Sequence, residues 1–157
     1  MFVLMKLSDK TLPTAPLDQE RGTQVKLVNK DLGTEKLDLH LNILKPRGNH
    51  GMVHRHTKSD NVYIVRKGMG EFFVDGKVLN VVEGDIVYIP AGVEHSLSNT
   101  SDDEFQIFEI YSPAGNDYDF ITGGRKVTLN SNAAEAAGKW PHGVFLGGDR
   151  FGLMSGL

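Results

Sequence analysis

The 157-residue sequence contains no cysteine. That absence excludes disulfides, thiolate metal ligands and a cysteine nucleophile, so a transition metal would have to be held by histidine, carboxylate, amide or water. Long apolar runs are missing too. None approaches the roughly 20 residues of a membrane-crossing helix, and the opening MFVLMKLSDK has an apolar stretch too short for the core of a secretion signal, with no small-residue cleavage site. The expectation is a cytoplasmic protein with no membrane partner. Basic charge is scarce. A net charge of -3 without any basic run argues against nucleic acid as a partner, because phosphate contacts need clustered Lys and Arg. Two further chemistries lack their signatures: there is no GxSxG elbow and no GxxxxGK[ST] phosphate loop. The Gly-rich FLGGDRFGLMSGL lacks the following helix that a nucleotide fingerprint needs.

What is present reads as all-β. Eighteen glycines and six prolines punctuate short runs of β-branched and aromatic residues, as in a sandwich or barrel. Leu37, Leu39, Leu41 and Ile43 alternate with Asp38, His40 and Asn42, which predicts a half-buried strand with His40 on its polar face. Further strands are expected at Met52–His56, Asn61–Arg66, Gly70–Val74, Lys77–Val82, Asp85–Ile89, Glu94–Asn99 and Phe105–Tyr111. Asp75-Gly76 is a hairpin signal, since Gly supplies the positive φ of a primed turn. One helical window stands out, NAAEAAGK from Asn132 to Lys139, with Asn132 as N-cap. Residues 1–36 read as a polar N-terminal arm, 37–115 as the barrel and 116–157 as an extension that packs on it, within a single domain. Asn99-Thr100-Ser101 matches a glycosylation acceptor, which carries little weight without a secretion signal.

The chemistry concentrates in GNHGMVHRHTKSDNVYIVRKG, Gly48 to Gly68. Residues two apart on a strand share a face, so His54 and His56 project together and could share a cation. A second stretch, GDIVYIPAGVEHSLSN from Gly84 to Asn99, adds a turn at Pro90-Ala91-Gly92 and then His95, which could bring a third imidazole. Tyr63 and Val65 have the parity of Asn61 and should face the interior with it. Tyr63 is a candidate proton or hydrogen-bond donor, or a core aromatic. In Phe105–Gly115, either Gln106 and Phe108 or Glu109 and Tyr111 face inward. If Glu109 does, it is a candidate general base or a substitute carboxylate. Asp60 should point to the opposite face from Asn61. His50, Arg47 and Arg55 are expected at the surface, and Trp140 and His142 anchor the tail or cap the mouth.

These two stretches resemble the paired motifs of the cupin superfamily. Gly48, His54, His56 and Gly68 fill the first motif, with Asn61 in the place of its usual Glu; Gly84, Pro90, Gly92, His95 and Asn99 fill the second, and fifteen residues separate Gly68 from Gly84. The resemblance implies a double-stranded β-helix, a jelly-roll barrel, usually homodimeric, with a metal near its mouth. Carried over residue by residue, the metal ligands are His54, His56 and His95. Asn61 is a weak fourth ligand or orients a metal-bound water. Fe2+ is the favoured ion, with Zn2+, Mn2+ or Ni2+ as alternatives. Three imidazoles and an amide leave the ion's charge uncompensated, which favours an anionic small-molecule substrate. The implied function is a three-His dioxygenase-like enzyme. The alternatives are a zinc- or manganese-dependent isomerase or lyase, and a barrel that only binds a small molecule.

Overall fold

Alternating runs become strands wherever a polar face and an apolar face can be separated. The computed structural model describes residues 5–115 and 118–121, and two short strands at 138–140 and 143–145. Six strands form one antiparallel sheet, in the order β1 (Thr14–Pro16), β2 (Gly22–Val28), β3 (Asp38–Leu44), β10 (Phe105–Ser112), β5 (Asp60–Lys67) and β8 (Ile86–Ile89). A second sheet runs β11 (Tyr118–Phe120), β4 (His54–His56), β9 (His95–Ser98), β6 (Met69–Val74) and β7 (Lys77–Val82). Neighbours in the sheets are distant in sequence, as β10 between β3 and β5 shows; this is jelly-roll connectivity.

The two sheets bury one another's inner faces. Tyr63, Val65, Val87, Ile89 and Ile107 from the first sheet meet Phe72, Val74, Val81 and Leu97 from the second. The rings of Tyr63 and Phe72 touch edge to face across the barrel at 4.9 Å between centroids. The expected hairpin is present. Met69–Val74 pairs with Lys77–Val82, and Asp75 and Gly76 adopt φ of 46° and 79°, the double left-handed geometry of a type I′ turn.

Three expectations change. The polar face of β3 is turned into the barrel: Asp38, His40 and Asn42 are buried, while Leu39, Leu41 and Ile43 pack outward with Val25, Leu27, Leu12 and Phe108 in a second apolar cluster. The outer face of β3 is dry because Leu12, Val25, Leu27 and Phe108 pack with its leucines and isoleucine there. Two strands lie within the stretch expected as an arm: Thr14–Pro16 and Gly22–Val28 extend the sheet at the β3 edge. The helix expected at Asn132–Lys139 fails at its end, where Gly138–Trp140 (β12) pairs with Gly143–Phe145 (β13). The rest of that window lies outside the described residues.

The motif glycine Gly68 has φ +80°, and a Cβ there would sit 2.6 Å from the Glu104 carbonyl oxygen. Gly84, at φ +92°, has nothing within 4 Å of such a Cβ. Gly68→Ala is therefore expected to cost ~2 kcal/mol or more, and Gly84→Ala about 1 kcal/mol for the backbone alone. Urea unfolding of the two variants checks the order.

Candidate metal centre

Three imidazoles reach one point because two strands far apart in sequence meet there. On β4, His54 and His56 lie two apart; on β9, His95 stands directly opposite His54 in the ladder. The turn that delivers His95 is tied to β4, with Gly92 N–H donating to the His56 carbonyl at 2.6 Å. Ring centroids lie 5.2 Å apart for His54 and His56, 4.5 Å for His54 and His95, and 5.5 Å for His56 and His95. One ligand nitrogen from each comes within 4.8 Å of the others.

Backbone carbonyls set the direction of two rings. His54 Nδ1 lies 2.9 Å from the Met52 oxygen and His95 Nδ1 2.9 Å from the Val93 oxygen. A carbonyl only accepts, so each Nδ1 carries the proton and each Nε2 keeps its lone pair for a cation. The Nε2 of His95 is buried and finds no hydrogen-bond partner among the described residues. Burial holds His54 and His95 in the neutral, ligating form. The His95 pKa is lowered to about 3, first by burial and then by the charge of His54; that of His54 is also lowered, chiefly by burial.

Asn61 is 1% exposed, and Glu109 is 4% exposed beside it. Three donors converge on the Glu109 carboxylate: Asn42 Nδ2 at 2.9 Å, Asn61 Nδ2 at 3.1 Å and the Tyr63 hydroxyl at 2.9 Å. Asn61 Nδ2 also donates to the Tyr63 hydroxyl at 3.1 Å, and Gln24 donates to Asn42 Oδ1 at 2.9 Å. Because both neighbours of the Asn61 amide are acceptors for its nitrogen, its orientation is fixed. Asn61 Oδ1 is left buried without a hydrogen-bond partner among the described residues. The convergent nitrogens of His54, His56 and His95 fit a divalent ion.

The structure thus brings together His54, His56, His95, Asn61, Tyr63 and Glu109 in one barrel interior. Of the two parities open for β10, Glu109 and Tyr111 face inward. Glu109 lies outside the ligand cluster, with both oxygens engaged. Asp60 faces outward, accepting from Tyr88 and from Ala91 N. His50 is exposed, Arg47 pairs with Asp102 and Arg55 with Asp119. His142 and the Trp140 side chain lie outside what is described. Asn99, fully buried, donates to the carbonyls of Leu44, Lys45 and Asp103, so this motif residue fastens loops and the glycosylation match is inert. His40, Asn42 and Gln24 went unmarked as site residues. Their only signal was the polar trio Asp38, His40 and Asn42, whose inward direction depends on what covers β3.

A depressed histidine pKa has a stability consequence. Between an unfolded value of about 6.5 and the folded value near 3, the unfolded chain binds the His95 proton and the native chain does not, so stability falls as pH drops through that window. The urea midpoint of metal-free protein is expected to fall between pH 7 and pH 5, and more shallowly in His95→Gln.

Residues 40–111 match the family described as the cupin domain. An uncharacterized protein of Aquifex aeolicus is 36% identical over 61 residues, 39% of this chain and 50% of that protein, so the chain spans half the length of this relative. The oxalate-binding protein of Thermotoga maritima is 25% identical over 84 residues, covering 54% of this chain and 69% of the relative. The polyketide cyclase RemF from Streptomyces resistomycificus superposes with a TM-score of 0.68 at 14% identity, over 80% of this chain and 90% of that one, a likeness of fold. No helix among the described residues is long and apolar enough to cross a membrane. The sequence match and the shared barrel fall on the strands that carry the three histidines, and residues 40–111 form a domain of the cupin family.

Proposed function

We propose that this cupin is a metal-dependent enzyme acting on a small oxyanionic molecule, with chemistry of the three-His non-haem iron dioxygenase type. The observation that carries the reading is the charge of the site. His54 and His95 are held neutral by burial, Asn61 carries no charge, and Glu109 is engaged by Asn42, Asn61 and Tyr63 and stands apart from the ligand nitrogens. A divalent ion held by the three histidines, with Asn61 Oδ1 beside it, would keep its charge and supply Lewis acidity and, as iron, redox capacity. The chain's own contribution is positional. Glu109 fixes Asn61 and Tyr63, the Met52 and Val93 carbonyls fix two imidazoles, and the apolar wall of Val65, Phe72, Ile89 and Ile107 limits water. The name of the oxalate-binding relative supports an oxyanion, since oxalate is a chelating dianion.

A second reading, a zinc- or manganese-dependent isomerase or lyase, rests on the Tyr63–Glu109 hydrogen bond of 2.9 Å. A phenol donating to a buried carboxylate is a pair that can hand a proton to bound substrate.

Elemental analysis of untagged protein is expected to give about one metal ion per chain, lost in His95→Ala. Oxygen uptake by the iron form with diketone-like or phenolic substrates supports the dioxygenase; turnover by the zinc or manganese form without oxygen uptake supports the second reading. No metal after reconstitution with several divalent ions overturns both and leaves a binding barrel. Replacing the neutral amide tests the charge argument itself: Asn61→Asp is expected to tighten metal binding roughly tenfold and to weaken acetate binding to the loaded protein, read by chelator competition and calorimetry.

A further inference from the structure

The inner wall built from β2 and β3 holds polar groups that neither the histidine cluster nor the Glu109 network consumes. His40 is 3% exposed and its Nδ1 is buried without a hydrogen-bond partner among the described residues. Its place is set by register, opposite Glu109 on β10 and opposite Lys26 on β2. The two carboxylates nearby are already engaged, Glu109 by its three donors and Asp38 by Gly115 N–H at 2.6 Å. Burial lowers the His40 pKa, against the charges of Glu109 and Asp38 and with that of Lys26, so the ring is neutral and has one N–H to give.

Lys26 shares the inward parity of His40 through the ladder, and its side chain is solvent-accessible. It makes no ion pair among the described residues. His40 is close to the metal centre. It packs edge-on against Tyr111 at 5.2 Å, and His56 stacks on the same ring at 5.4 Å, so a single aromatic ring lies between His40 and a candidate ligand.

We propose that His40 and Lys26 form a second binding point for the substrate, taking a carboxylate or carbonyl oxygen at the far end of a small bifunctional acid. The near end is held at the three-His site, so the inference rests on the metal-centre reading and narrows its substrate class. The chemistry is complementary. A neutral Nδ1–H donates to the ligand oxygen, and the Lys26 ammonium supplies the positive charge that offsets Asp38 and Glu109. A monofunctional acid leaves Nδ1 unsatisfied, and discrimination against it follows.

The test uses full-length protein labelled with 15N-histidine, zinc-loaded and metal-free, titrated with malonate, succinate and acetate; His40→Gln identifies the His40 resonance. Malonate or succinate is expected to move that resonance, and acetate is not. The better diacid should bind the zinc form roughly tenfold more tightly than acetate. Lys26→Met, at an exposed position, should bring that ratio close to one while leaving acetate affinity and zinc stoichiometry unchanged. A His40 resonance unmoved by both diacids, or a Lys26→Met variant that weakens acetate and diacid equally, overturns the inference. If zinc does not bind, or a diacid moves His40 but not His54, His56 and His95, the metal-centre reading fails while the second binding point stands. In that case Lys26→Met must still weaken diacid binding to the metal-free protein.

Discussion

A carboxylate inside a barrel must be satisfied, and the way Glu109 is satisfied governs the rest of the site. Its oxygens draw in one amide from β3 and one amide and one phenol from β5, so three strands of one sheet are joined by a single side chain. Leaving such a group without donors would cost several kcal/mol. With the donors present, the negative charge is spent on structure. Among the described residues no anionic side chain joins the three imidazoles as a ligand, which is the reverse of a site where a glutamate neutralises the ion.

The amide at residue 61 gains its meaning from that arrangement. A glutamate there would stand against the Glu109 carboxylate, two negative charges on neighbouring strands in one dry interior. Asn61 instead gives its nitrogen to Glu109 and Tyr63 and leaves its oxygen unspent. The amide at 61 and the carboxylate at 109 therefore form a matched pair, and the departure from the family's motif is compensated on the adjacent strand.

Much of this was legible in the sequence, for identifiable reasons. Period-two spacing put His54 beside His56 and Tyr63 on the face of Asn61, and the motif spacing brought in His95. Asp75-Gly76 announced its hairpin because few dipeptides tolerate two positive φ values. What could not be read was direction. In β3 the alternation separates leucines from Asp38, His40 and Asn42, but which side is inside depends on β2, whose own pattern of Val25 and Leu27 among polar residues is too short to stand out. In β10 both faces carry large apolar residues, Ile107 and Tyr111 on one and Phe108 and Ile110 on the other, so Glu109 had no preferred side until β3 and β5 flanked it. Asn99 looked like one motif position among several, and its role appeared only when the three carbonyls it bonds came together.

The reversed strand β3 has a consequence for how this protein can change. Its hold on the fold comes from the outer face, where Leu41 is fully buried among Val25, Leu27 and neighbouring apolar groups. Its inner face adds Leu44 to the main core and Asn42 to the Glu109 network, while His40 between them joins neither. The lining of the pocket along this wall is therefore separable from the scaffold: exchanges at residue 40 can alter what the barrel accepts while the strand stays in register. Such a division of labour between the two sides of a single strand lets a binding preference drift, under selection or by design, without the fold drifting with it.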